Sequence, residues 1–323
     1  MFPYADFCFE VLAESTVDCS YEKTENTSVF FTGGVDATSA LIETLSEKPT
    51  LINIWGGDLL LTDTAGRTAL EKYISQLATQ LGLKYIISKS NCRRFFNENN
   101  LEKCLGQIIH TEDNHGWWAS IAHIISMISS VAPVLYSLKV STHYIGSTYP
   151  ERSHTFDSNN VDMVNSIRLP GCRLKMVDEE LCRSDKVRKI VHYSKENNQK
   201  IELKVCWYST ASENCSQCEK CYRTIAEILS SHADPNDYGF KIDTKGYRLM
   251  KQYIKYNFVN LGFWPANQEA FLKEYDYWKN NKDISWFLTI DFNNEKRITR
   301  YRQMAYFKSL LAGILHKLTD RKN

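Results

Sequence analysis

An apolar run, Val29-Phe30-Phe31, enters the turn Thr32-Gly33-Gly34-Val35-Asp36 and leaves it as a helical pattern through Ala37-Thr38-Ser39-Ala40-Leu41-Ile42. A strand that feeds a helix through two adjacent glycines restricts the chain to an α/β arrangement and builds the frame of an anion cradle. Glycines let backbone N–H groups approach a ligand with no Cβ in the way, and the helix opening near Asp36 presents its positive end. Hydroxyls at Thr32, Thr38 and Ser39 are further donors for phosphate oxygens. The pattern is neither G-x-x-x-x-G-K-[ST] nor G-x-G-x-x-G, so the two commonest nucleotide fingerprints are absent from this turn. The plain alternative is an ordinary strand-to-helix turn.

A second cluster lies about 170 residues downstream. Cys206, Cys215, Cys218 and Cys221 are spaced C-x8-C-x2-C-x2-C. Four thiolates at this spacing suit a closed tetrahedral shell around one Zn²⁺, with Zn–S bonds of about 2.3 Å and no open position for a substrate water. The zinc is therefore expected to be structural, pinning the loop from Cys206 to Cys221 onto a helix that continues through Thr224 and Ile228. Free structural cysteines, an iron–sulfur cluster and disulfides are the alternatives. The N-terminus lacks a basic stretch followed by an apolar run and a cleavage site, which predicts a cytoplasmic protein and disfavours disulfides.

The turn resembles the S-G-G-x-D-S-[ST] loop of the PP-loop ATP pyrophosphatases, with Thr32 at the first Ser and Ala37 at the Ser after the Asp, while Thr38 keeps the last hydroxyl. The order of the two motifs, followed by Arg223-Thr224, is similar to the 7-cyano-7-deazaguanine synthase branch of that superfamily, over approximately residues 28 to 232. The resemblance implies ATP cleavage between the α- and β-phosphates and transfer of AMP to a substrate oxygen. It assigns phosphate binding to Thr32, Gly33, Gly34, Val35, Asp36 and Thr38, adenine contact to the end of the second strand at Ile54 and Trp55, and zinc to Cys206, Cys215, Cys218 and Cys221. Between the motifs the likeness fades: His115-Gly116-Trp117-Trp118 and Ser153-His154 do not follow the family, which leaves the substrate open. Relatives with altered middles and added C-terminal segments occur in anti-phage systems and in cell-surface biosynthesis. Peptide- or sugar-modifying amidotransferases and tRNA-modifying PP-loop enzymes use the same ATP chemistry.

From residue 28 to about 150, apolar strands alternate with helical patterns. Strands are expected at 28–32, 51–55, 85–88 and 141–146, and helices at 36–45, 64–81 and 119–130. This predicts a parallel sheet flanked by helices, Rossmann-type and, by the resemblance, of the HUP/PP-loop kind. The loops Thr32-Gly33-Gly34, Gly56-Gly57-Asp58, Ser88-Lys89-Ser90 and Gly146-Ser147 would then converge at the carboxyl ends of the strands. Residues 1–27 read as edge strands, 28–234 as the nucleotide-binding domain with its zinc site, and 235–323 as a helical C-terminal segment with helices at 245–256, 268–280 and 296–317.

With 323 residues, 43% of them hydrophobic, and a formal charge of +1, the chain can bury a sizeable core and offers no bulk charge for nucleic acid. No run of about 18 apolar residues spans a membrane. The segment 147–205 holds Arg152, His154, Asp157, Arg173, Lys175 and Asp178 in or beside loops, and Arg183 and Lys186 three apart on one face of a helix over 178–193. His115 and His154 are candidate site histidines, and His123, inside an apolar helix, reads as a core residue.

The expected chemistry is adenylation: Asp36 holds Mg²⁺ bridging the pyrophosphate, Arg183 and Lys186 neutralise the leaving pyrophosphate, and ammonia or an amine displaces AMP from the activated carbonyl. ATP and a small-molecule or peptide substrate are the expected partners. A protein partner on the C-terminal helices and a homodimer are both compatible with the pattern.

Overall fold

The computed structural model describes residues 12, 14–15, 24–57, 59–95, 97–105, 117–118, 122–148, 159–206, 213–257, 259–292 and 294. The chain divides into two compact units, 1–213 and 214–323. The boundary expected between 234 and 235 lies inside the second. The expected strands over 1–27 fall almost wholly outside the described residues, and the expected helix at 296–317 entirely so.

Among the described residues the first unit has six strands: β1 (Thr27–Phe30), β2 (Thr50–Trp55), β3 (Tyr85–Lys89), β4 (Thr142–Gly146), β5 (Arg168–Leu169) and β6 (Cys172–Val177). Their order is β3-β2-β1-β4-β6-β5. Every neighbouring pair is parallel except β5 with β6. All four residues of β1 are buried, as a central parallel strand covered on both faces requires. Its side chains alternate across the sheet. Val29 and Phe31 join Leu41, Leu51, Ile74 and Leu77 under α1 (Val35–Thr44) and α2 (Thr64–Leu81). Phe30 joins Ile128, Val131, Leu135 and Leu174 under α5 (His123–Ser137) and α6 (Val161–Ser166).

Between these elements lie the short α3 (Cys92–Phe95) and α4 (Glu98–Leu105), and α7 (Arg183–Glu196) follows β6. Helix α2 has the expected bounds because both ends are chemically marked: the Asp63 carboxylate caps Gly66 N–H at 2.8 Å, and Gly82 closes the helix at φ 65°. Helix α5 runs past the expected end at 130, to Ser137, and carries Pro133 inside it.

Strand β6 was not anticipated. Arg173 and Lys175, expected in or beside loops, stand on its exposed face, while Cys172, Leu174 and Met176 alternate inward. Arg173 Nε donates to Thr142 Oγ1 on β4 at 2.9 Å. The alternation C-R-L-K-M-V was the missed signal.

The second unit is helical: α8 (Glu219–Ser230), α9 (Thr244–Tyr256), α10 (Trp264–Lys273) and α11 (Tyr275–Trp278). Helix α8 is buried from Cys221 through Ile228. Its neighbours supply an aromatic core in which Phe271 meets Trp278 at 4.6 Å and Phe287 at 5.1 Å between ring centroids. Trp264 Nε1, fully buried, donates to Glu219 Oε1 at 2.9 Å. Helix α10 begins at Trp264-Pro265, ahead of the start expected at 268, since proline is tolerated in a first turn.

Candidate functional site

Strand order 3-2-1-4 puts a topological switch between β1 and β4. The chain leaves β1 toward β2 on one side and later crosses to β4 on the other, which opens a crevice at the carboxyl ends of these strands. The Thr32–Asp36 turn lies there. Gly33, at φ 78°, takes a left-handed conformation that L side chains rarely adopt, and Gly34 is the N-cap of α1 with no side chain to cap it. The amides of Val35, Asp36 and Ala37 open the helix and have no intrahelical acceptor, whereas Thr38 N–H is the first to close a turn, on Gly34 O at 2.9 Å. Thr32 Oγ1 accepts from Gly34 N–H at 3.3 Å. Thr38 is fully buried and its hydroxyl has no hydrogen-bond partner among the described residues. A buried orphan hydroxyl one turn into an uncapped helix is an unspent donor.

The structure brings Asp36, Arg183 and Lys186 together although they are some 150 residues apart. Lys186 Nζ lies 3.3 Å from Asp36 Oδ1, and Arg183 Nη1 lies 3.9 Å from Asp36 Oδ2. Lys186 is completely buried, and its ammonium also donates to Ser147 O and Thr148 O, each at 2.6 Å, and to Ser147 Oγ at 3.2 Å. Burial pulls its pKa below the usual lysine range, while Asp36 and Asp178 oppose that shift and Arg183 adds to it. Three ammonium hydrogens thus serve four acceptors, and three of these acceptors belong to the loop leaving β4. The Asp36 carboxylate keeps about a third of its surface exposed, so it is the part of this trio that a ligand can reach.

Gly146, at the end of β4, explains how these parts come so close. A Cβ there would lie 2.4 Å from Asp36 O, so only glycine lets the strand meet the first turn of α1. Ser39, expected as a phosphate donor, is committed elsewhere: it is fully buried and its hydroxyl donates to Asp178 at the end of β6. Asp178 also pairs with Lys189 Nζ at 2.8 Å. The sequence placed Gly146-Ser147 among the converging loops but gave no sign that the Ser147 and Thr148 backbone carbonyls would hold the ammonium, since a carbonyl carries no sequence signal.

Ile54 is half-buried and packs on the α5 side of the sheet. Trp55, next to it, has Lys89 Nζ at 4.9 Å and Arg67 Cζ at 5.2 Å from its ring centroid. Val35 is a core residue and can offer only its amide. His115, Arg152, His154 and Asp157 lie outside the described residues. His123 is half-buried, its ring 5.4 Å from that of Trp118. Among the described residues the fully buried histidine is His143 on β4, with Nδ1 2.8 Å from Ser28 Oγ and Nε2 without a partner there; burial holds its pKa at about 3.

Residues 201–206 run beside the glycine turn. Lys204 N–H donates to Gly33 O at 2.7 Å, and Tyr73 Oη donates to Glu202 O. Two residues on, Cys206 joins Cys215, Cys218 and Cys221, whose sulfur atoms all lie within 4.8 Å of one another. Cys218 and Cys221 are 3.4 Å apart and Cys215 and Cys221 3.8 Å. Tetrahedral bonds of about 2.3 Å separate neighbouring sulfurs by about 3.8 Å. The four thiols are therefore close enough to hold one metal ion. No helix among the described residues is long and apolar enough to cross a membrane.

Compared with protein families, with curated proteins and with solved structures, the chain finds no match.

Proposed function

We propose that the protein is a PP-loop-type ATP pyrophosphatase that adenylates a carboxylate or amide oxygen. One observation carries the reading: an uncapped helix N-terminus follows a Gly-Gly turn at the sheet's switch point, with a carboxylate held there by two cations. In this reading the β- and γ-phosphates of ATP lie on the amides of Gly33 and of Val35 to Ala37, and the Thr38 hydroxyl supplies a further donor. Asp36 would hold Mg²⁺ travelling with the phosphates, and Arg183, buried behind that carboxylate, would offset the charge of the leaving pyrophosphate through Asp36 and its metal ion. Lys186 acts as a positioning residue, since its donors are engaged by the β4 loop and by Asp36.

The substrate oxygen attacks the α-phosphorus, the bond from that phosphorus to the bridging oxygen breaks, and pyrophosphate departs with the electron pair. Ammonia or an amine then attacks the activated carbon and AMP leaves. The zinc reading fits the thiol set: four sulfurs fill a tetrahedral shell and leave no position for chemistry, so the ion would be structural.

The test is the product. Incubation with ATP, Mg²⁺, ammonia and a panel of carboxylic acids, beginning with 7-carboxy-7-deazaguanine, is expected to yield AMP and pyrophosphate, and Asp36→Asn to abolish the yield. ADP and phosphate as products would overturn the reading. AMP formed only on another acid would exclude the deazaguanine substrate and keep the chemistry.

A further inference from the structure

Helix α9 has the sequence Thr244-Lys245-Gly246-Tyr247-Arg248-Leu249-Met250-Lys251-Gln252-Tyr253-Ile254-Lys255-Tyr256, with four cations and no acid. Its apolar side is committed, because Met250 and Ile254 are fully buried in the second unit. At 100° per residue, Lys245, Arg248, Lys251 and Lys255 fall in one stripe about 120° wide, and all four are exposed. None of the four lies within ion-pair distance of a carboxylate among the described residues; their recorded contacts are Lys251 with the Trp286 ring at 6.0 Å, Lys255 with the Tyr256 ring at 5.1 Å, and Arg248 Nε on Thr244 O at 3.4 Å. Other surface helices pair their charges in the usual way, as in Arg67–Glu71, Arg188–Asp185 and Lys273–Glu269.

In α9 the neighbours are like charges at 245/248, 248/251 and 251/255, an arrangement that weakens a helix unless an anion lies over it. Tyr256 (46% exposed) and Leu249 (39% exposed) border the stripe. The charge balance of the chain runs the same way. Residues 214–323 carry 18 Lys and Arg against 12 Asp and Glu, a net +6, while residues 1–213 carry 21 against 26, a net −5.

We propose that this face of α9 binds the sugar-phosphate backbone of a single-stranded nucleic acid, with Tyr256 as a platform for a base. The stripe from Lys245 to Lys255 spans about 15 Å at 1.5 Å per residue, on the order of four phosphates at the axial spacing of one strand. A cationic track edged by an exposed aromatic is the arrangement that holds single strands without reading their sequence. A membrane surface fits less well, because the apolar side that would enter the lipid faces the protein core.

The experiment measures binding of the full chain to a fluorescein-labelled 12-nucleotide single-stranded RNA by anisotropy, between 50 and 300 mM salt. Each lost phosphate contact lowers the slope of log K against log salt by about 0.7. Arg248→Gln/Lys251→Gln should therefore flatten the slope by about 1.4, and Lys245→Gln/Lys255→Gln should do the same. Tyr256→Ala should weaken binding about tenfold with the slope unchanged. The urea midpoints of both Gln pairs should equal or exceed that of the parent, since repulsion is relieved, and this separates lost binding from lost fold. Absence of RNA binding at 50 mM salt, a slope that both Gln pairs leave unchanged, or capture by phosphatidylserine vesicles in place of RNA would overturn the proposal.

Discussion

Lys186 is the residue on which the candidate site turns. Its ammonium is closed off from water and satisfied by two backbone carbonyls, a hydroxyl and Asp36. Replacing it with Met keeps the volume and removes every donor, leaving Ser147 O and Thr148 O buried without partners. Lys186→Met is expected to cost about 3 kcal/mol, read as a lower urea midpoint. A double variant with Asp36→Asn should lose less than the two single changes together, because the interaction is already gone. His143 sets a second expectation. Its folded pKa of about 3 lies below the unfolded value of 6.5, so below pH 6.5 the unfolded chain takes up a proton that the folded chain refuses. The stability this residue contributes is complete above pH 6.5 and is lost as pH falls toward 3. At pH 5 the loss should be about 2 kcal/mol, and urea unfolding of His143→Leu should lack that part of the acid slope.

At the scale of elements, the segment 201–206 links two features that the sequence holds far apart. Its middle amide, on Lys204, closes on Gly33 O, and its end carries Cys206 of the thiol cluster. A bound metal ion would therefore fix the end of the segment that braces the glycine turn. Purified protein is expected to carry about one zinc per chain. Stripping it with a strong chelator should speed hydrogen exchange at the Lys204 amide while leaving β1 and β2 protected. Unchanged exchange at Lys204 would show that the cluster does not brace the turn. The elements most legible in the sequence were those with local chemistry. Helix α2 announces itself through Asp63 and Gly82, and the four cysteines through their spacing. The pairing of Arg183 with Lys186 on one helix face was legible too, but their meeting at Asp36 was not, because it depends on parallel strand order. The Ser147 and Thr148 carbonyls were invisible, since any residue type offers a carbonyl. The alternation of β6 went unread because its charged positions suggested a loop.

For the whole molecule, the sheet determines more than the position of its crevice. Among the described residues the six-stranded sheet ends on two sides, and a sheet's end is where another chain can build on its backbone groups. On one side the last strand, β3, is flanked by exposed Tyr85 and Lys89 and ends in the lysine. On the other side the chain turns at Gly171 and lays only Arg168 and Leu169 antiparallel to β6. Those two residues cover the rim of β6 and present a ladder too short for a foreign strand to extend. Among the described residues, the brief reversal thus leaves this side no long open strand on which a second copy of the chain could build. Replacing Leu169 with Pro, which removes a backbone donor from this edge, is expected to increase light scattering on mild heating well before global unfolding, and no such increase would show that β6 needs no cover.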